Sequence, residues 1–235
     1  MRALPDFTTS DYLALGLFAC AWIGFTLFAD HSRWRRNSVS ALMAGYRLRW
    51  MRQMLRRENR MVDVSVVGSL QNGAAFFASS TILALGGLMA VLSAEDAAAA
   101  ILQALPFVQP SPPGMWQTKV LLLIAVLAYA FFKFAWSFRL HNYVAVLLGA
   151  APLEPGDDPE AETHARRAAR IGTLAARHFN RGLRAYFFAL AALAWFLHPW
   201  LFAAMTVYVL YVLHRREFRS KALAALKGEA DDLAG

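Results

Sequence analysis

Residues 185–214, AYFFALAALAWFLHPWLFAAMTVYVLYVLH, decide the fold of this chain. The stretch has 30 residues without Lys, Arg, Asp or Glu, and its hydrophobic pattern is interrupted only at Leu197-His198-Pro199-Trp200. As one helix it would be about 45 Å long, well beyond a hydrocarbon core of about 30 Å. As a hairpin each arm would be about 21–24 Å long, so Arg184 and Arg215 would have to reach back to the headgroups. Length alone leaves both interpretations open.

The distribution of cations favours the hairpin. Of the 24 Lys and Arg residues, 22 lie in segments 30–63, 133–184 and 214–235. Cytoplasmic loops are enriched in these residues. A single fourth span would place the C-terminal segment and its five cations outside the cell, whereas a hairpin returns them to the inside. The sequence therefore predicts an N-terminus outside, a C-terminus inside and a turn at His198-Pro199.

Composition sets the class of protein. Of the 235 residues 58% are hydrophobic and 17% are charged, and the mean hydropathy is +0.37, whereas soluble domains average about 45–50% and 25%. This excess of apolar side chains predicts a membrane protein. The net charge of +8 is explained by orientation, so we expect no nucleic-acid partner. Cys20, the only cysteine, can form no disulfide within the chain.

Other uncharged stretches complete the predicted architecture. The fold class is an all-α integral membrane protein of about five transmembrane helices, with residues 1–235 forming a single membrane domain. The predicted spans are approximately 12–29, 64–90, 118–138, 184–198 and 200–214, and the predicted helical extensions into the cytoplasm are 38–62, 139–150, 159–183 and 214–227.

The first extension is an amphipathic helix. Apolar side chains recur at helical spacing, and arginines cover the remaining surface. Such a helix fits either a membrane surface with anionic lipids or the cytoplasmic ends of the chain's own spans, and the second interpretation is favoured. The apolar positions are Val39, Leu42, Met43, Tyr46, Trp50 and Met54.

The sequence offers little catalytic chemistry. None of the six histidines pairs with another at i, i+4, so no metal site is indicated. No nucleotide-binding loop or nucleophile elbow occurs either. We therefore expect no catalytic residues, no cofactor and no enzymatic activity. An enzyme acting on lipid would need a convergent pair such as Asp63 with Lys133.

Polar residues at membrane depth are the candidate functional residues, because they are costly there. One set consists of helix-interface or pore-lining candidates, and the other of cations placed to contact anions or lipid headgroups. They could line a water-filled cationic vestibule, or bond between helices and to lipid phosphates; the second reading is favoured. Asp63 and Glu58 are the acids expected to neutralise the cations. The first set is Ser65, Ser69, Asn72 and Asn180, and the second is Lys133, Arg139, Arg181 and Arg184.

Three stretches carry a family resemblance. They are Trp50-Met51 with Met54, then Asn72 with 76–83 (FFASSTIL), and above all 180–188 (NRGLRAYFF) followed by Trp195-Phe196 and Pro199. They resemble the uncharacterised membrane family called domain of unknown function 599, over roughly Leu13 to Arg216. The resemblance implies an integral membrane protein with several helices and no assigned activity. It gives weight to Asn72, Gly182, Arg184, Tyr186 and Pro199.

Together these features predict a multi-pass inner-membrane protein without enzymatic activity. We expect it to contact anionic headgroups and to assemble with copies of itself, as a channel- or transporter-like assembly with a basic cytoplasmic vestibule. The alternative is a structural or assembly subunit of a larger membrane complex.

Overall fold

A computed structural model describes residues 7–31, 37–94, 114–153 and 159–228. Every regular element in these ranges is helical, which confirms the all-α prediction. The α-helices are α1 (Thr9–His31), α2 (Val39–Leu55), α3 (Met61–Ser93), α4 (Met115–Gly149), α5 (Pro159–Leu193), α6 (Pro199–Phe218) and α7 (Lys221–Lys227).

Three helices are long and apolar enough to cross a membrane. They are Thr9–Asp30 within α1, the whole of α3 and the whole of α4. At 1.5 Å per residue, α3 and α4 are each about 50 Å long, so both extend past a hydrocarbon core of about 30 Å. Length and composition thus identify the chain as a helical membrane protein.

The chain changes direction within residues 185–214. Helix α5 ends at Leu193, one tighter helical turn covers Ala194–Phe196, and α6 begins at Pro199. Proline suits the first turn of a helix, where its missing N–H group would have no intrahelical partner. The stretch is therefore two helices, and the break lies next to the predicted turn at His198-Pro199. That both arms cross a membrane stays a prediction.

The helix predicted over residues 38–62 is shorter than expected. Ser38 caps α2 by accepting a hydrogen bond from the Ala41 N–H (3.2 Å), and the helix ends at Leu55 instead of continuing to residue 62. The Asn59 side chain then accepts a bond from the Met61 N–H (2.9 Å), which starts α3. Because Asn59 offers the backbone this local partner, residues 56–60 form a connection between two helices.

The described residues form two compact units. In the first unit, Trp195, Phe188 and Phe202 are fully buried. Phe188 and Phe202 contact Phe18 of α1, and Trp195 stacks on Phe202. Ring centroids of Phe18 lie 5.6 Å from Phe188 and 5.2 Å from Phe202, which is the usual range for aromatic packing. The unit consists of α1, the part of α3 from Ser80 onward, the part of α4 up to Phe131, the part of α5 from Leu183 onward, and the part of α6 up to His214.

The second unit has an aliphatic core. The buried face of α5 consists of alanines, whose small side chains let the helix approach its neighbours closely. They are Ala161, Ala165, Ala168 and Ala169. They pack with Met51, Met54, Val67, Val144 and Leu148. The unit takes α2, α3 up to Ser79, α4 from Phe132, α5 up to Gly182, and the chain from Arg215.

Candidate functional site

Arg184 is a buried ion-pair residue of the first unit. Its Nη2 atom lies 3.3 Å from Oδ1 of Asp30, and both side chains are almost inaccessible to solvent. The guanidinium also lies over the ring of Phe25, 5.8 Å from the centroid. A buried charge is tolerated when it is paired, so Asp30 explains why α5 can carry an arginine inside the unit.

Asp63 does not have the predicted role. The sequence suggested that it neutralises the cations at the inner ends of the spans, whereas the buried carboxylate accepts hydrogen bonds from Trp50 Nε1 and Arg57 Nη1, both 2.6 Å long. Asp63 lies in the first turn of α3, where its carboxylate faces residues of α2 and of the connection after it. It ties these elements together, and Lys133 is not among its hydrogen-bond or ion-pair partners in the described ranges.

The second unit brings two of the predicted cations together. Lys133 and Arg181 are both half-buried and close enough for their like charges to interact. Arg139 is exposed, and its Nε donates a 2.7 Å hydrogen bond to the hydroxyl of Tyr143, one turn along α4. Lys133 and Arg181 therefore form a local concentration of positive charge, while Arg139 is held by its own helix.

Gly182 belongs to an unusually tight contact beside Arg181. A Cβ atom at this position would lie 2.6 Å from Cε1 of Phe134. Phe134 is fully buried, and its ring centroid lies 5.2 Å from that of Phe77 and 5.5 Å from that of Phe179. Only glycine lets α5 approach this aromatic cluster so closely, which gives Gly182 a packing role.

The polar candidates separate into two environments. Asn180 Nδ2 donates to Ser40 Oγ (3.3 Å) and so links α5 with α2. Ser65, Ser69 and Asn72 are exposed and follow one face of α3 at helical spacing. These three side chains point away from the rest of the described chain.

Sequence reasoning missed two pairs that join distant parts of the first unit. The buried Trp195 donates from Nε1 to Asp11 Oδ1 (2.8 Å). The hydroxyls of Thr81 and Tyr186 share a 2.7 Å hydrogen bond. Asp11, Asp30 and Thr81 are polar residues next to or within apolar runs, and that isolation is the only signal in the sequence.

Glu162 is a further missed residue, in the first turn of α5. It accepts bonds from Arg52 Nε (2.9 Å) and Nη2 (2.6 Å), and from Arg166 Nε (2.6 Å). The hydrogen bonds from Arg52 are the main reason that the pKa of Glu162 falls from 4.5 to about 2. One carboxylate thus joins α2 to α5.

The ion pairs and hydrogen bonds described above hold charged side chains in place within the two units. The described ranges contain no group of three or more His, Cys, Asp or Glu side chains that could hold a metal ion. The chemistry that they do contain is ion pairing, hydrogen bonding and cationic surfaces.

The geometry is that of a helical membrane protein. Residues 13–222 match the family model described as "Protein of unknown function, DUF599", so the chain belongs to that family. Neither the comparison with curated proteins nor the comparison with solved structures gave a match.

Proposed function

We propose that the chain is a non-enzymatic multi-pass protein of the inner membrane that self-associates through α3, forming a channel- or transporter-like assembly. The proposed topology has five spans, with α5 and α6 as the last two, the N-terminus outside and the C-terminus inside. The observation that carries the proposal is the polar face of α3, which the described part of the chain leaves exposed.

Helix α3 is the least buried of the three long apolar helices. Only 6% of its most apolar 18-residue window is buried within the described chain, against 28% for α1 and 39% for α4. Ser65, Ser69 and Asn72 precede this apolar stretch in α3, and all three are exposed. An amide facing hydrocarbon leaves its hydrogen-bonding groups without partners, which costs free energy.

A second copy of α3 would remove this cost. Serine is small enough for two helices to approach closely, and Asn72 can donate and accept bonds across a helix pair. A pair of identical faces also satisfies the self-complementarity that a two-fold interface requires. These properties favour another copy of this chain over lipid as the occupant of the face.

The cationic residues support the permeation part of the proposal. Lys133 and Arg181 carry like charges that lie close enough to interact, so an anion close to both would be attracted by both. A basic vestibule of this kind would favour anions over cations.

Native mass spectrometry in a mild detergent tests self-association. We expect oligomers for the unmodified chain and monomers for Ser69→Phe, because a large ring prevents close approach of the two α3 faces. Leu70→Phe is the matched control, since Leu70 is also exposed but lies about 100° around the helix. It should remain oligomeric.

A monomeric unmodified chain, or equal behaviour of the two variants, would contradict self-association through α3. If a different protein co-purifies at a fixed ratio and binds the exposed face of α3, the chain is instead a subunit of a larger membrane complex. Chloride flux into proteoliposomes tests permeation separately, and no flux above that of empty liposomes would remove that part.

A further inference from the structure

A basic groove lies between α2 and α5 in the second unit. None of the candidate residues from the sequence lines it. Its volume is about 420 Å³, within the usual range of ligand sites, about 300–1,000 Å³. Arg166, Arg170 and Arg177 of α5 line it together with apolar side chains. The apolar part of the lining includes Ala44, Leu48 and Leu174.

The three arginines give the groove an excess of positive charge. They stand at positions i, i+4 and i+11 of one helix, and like charges at i, i+4 destabilise a helix. No lining residue is acidic. Glu162, the carboxylate bound to Arg166, is shared with Arg52. Arg170 forms no ion pair with any part of the chain that the structure describes.

We propose that this groove is a binding site for a phosphate-ester anion. A guanidinium group matches phosphate geometry by donating two parallel hydrogen bonds, and arginine is the preferred residue for such recognition. The apolar side chains of Leu48 and Leu174 can accept the organic part of the ester. The phosphate belongs either to a soluble molecule or to a lipid headgroup, and both present the same chemistry to Arg170.

The groove is formed within one copy of the chain. The site is therefore independent of self-association, and a failure of one proposal leaves the other intact. Binding is measured on the full chain in nanodiscs, where the oligomeric state is recorded separately.

The experiment has two arms. In the soluble arm, glycerol 3-phosphate, a phosphate monoester, is titrated calorimetrically into protein in phosphatidylcholine nanodiscs. In the lipid arm, native mass spectrometry counts the lipids retained from discs that contain phosphatidylglycerol. We expect binding in at least one arm and a loss of about tenfold in Arg170→Gln, the effect of about 1.4 kcal/mol from one charged contact. The arm that responds identifies the source of the phosphate.

Arg167→Gln is the matched control. Arg167 is an exposed arginine of the same helix that does not line the groove, so its loss removes the same charge without removing a groove contact. Arg170→Lys keeps the positive charge but loses the planar guanidinium group, which can donate two parallel hydrogen bonds to phosphate. This variant should therefore retain only part of the affinity. The proposal is overturned if neither arm shows binding, or if R167Q and R170Q weaken it equally. Unchanged thermal unfolding of R170Q without ligand shows that the fold is intact.

Discussion

At the scale of single residues, Gly182 allows α5 to pack closely against Phe134. The ring of Phe134 occupies the space that a side chain would need, with three of its atoms 2.6–2.9 Å from the position of a Cβ. The ring has little freedom to move, because it is buried between Phe77 and Phe179. An added methyl group therefore has to displace either the aromatic cluster or the helix.

Gly182→Ala should destabilise the protein. Overpacking of a buried site costs about 1–3 kcal/mol, and we expect a loss of this size in the free energy of unfolding measured in mixed micelles. Gly172→Ala, ten residues earlier on the same helix, is the control. Its Cβ would lie 3.8 Å from its nearest neighbours, so helix propensity should make it neutral or stabilising by up to about 1 kcal/mol. Equal stability of the two variants would contradict the tight contact.

At the scale of helices, Glu162 couples the start of α5 to α2. Its hydrogen bonds from Arg52 and Arg166 stabilise the ionised carboxylate and lower its pKa from 4.5 to about 2. A pKa below that of the unfolded chain stabilises the fold above pH 4.5, and this contribution is lost as the pH falls towards 2. The attachment of α5 to α2 should therefore weaken in acid.

Glu162→Gln provides the test. We expect a lower unfolding temperature than for the unmodified chain at pH 7, and a difference that shrinks between pH 4.5 and pH 2 as the native carboxylate gains its proton. Glu58→Gln is the control, because Glu58 is exposed in the connection after α2 and makes no ion pair within the described ranges. A difference that is constant with pH would show that this ion pair does not join the helices.

The helices were easier to predict than their pairing. Apolar runs and Pro199 are local signals, and they indicated the long helices and the break between α5 and α6. The partner of Arg184 is not a local signal, because Asp30 lies 154 positions away. Helical periodicity shows which face a residue occupies but not which helix lies opposite, so Asp63 was assigned to the wrong cations. The groove could not be predicted from the sequence for the same reason. The spacing of its arginines indicates a basic face on α5, but the groove exists only because α2 lies beside that face.

At the scale of the whole molecule, the topology depends on whether α5 and α6 cross the membrane. Helix α6 carries Arg215 and Arg216 in its last turn, so the positive-inside rule predicts that this end is in the cytoplasm. If both helices cross, the turn at Pro199 lies outside. If neither helix crosses, the turn lies inside. In both arrangements the N-terminal end of the chain is outside and the C-terminal end is inside. The turn is therefore the position that distinguishes five spans from three.

Labelling of single cysteines in intact cells measures this directly. Cys20→Ala removes the native thiol, and Thr9→Cys, Trp200→Cys and Ala225→Cys each introduce one at an exposed position. Five spans predict that a membrane-impermeant maleimide labels positions 9 and 200, and that it reaches position 225 only after lysis. Labelling of position 9 alone would reduce the number of spans to three, because position 200 would then share the cytoplasm with position 225. Labelling of position 225 in intact cells would contradict the assignment of the basic C-terminal segment to the inside, and with it the orientation drawn from the cations.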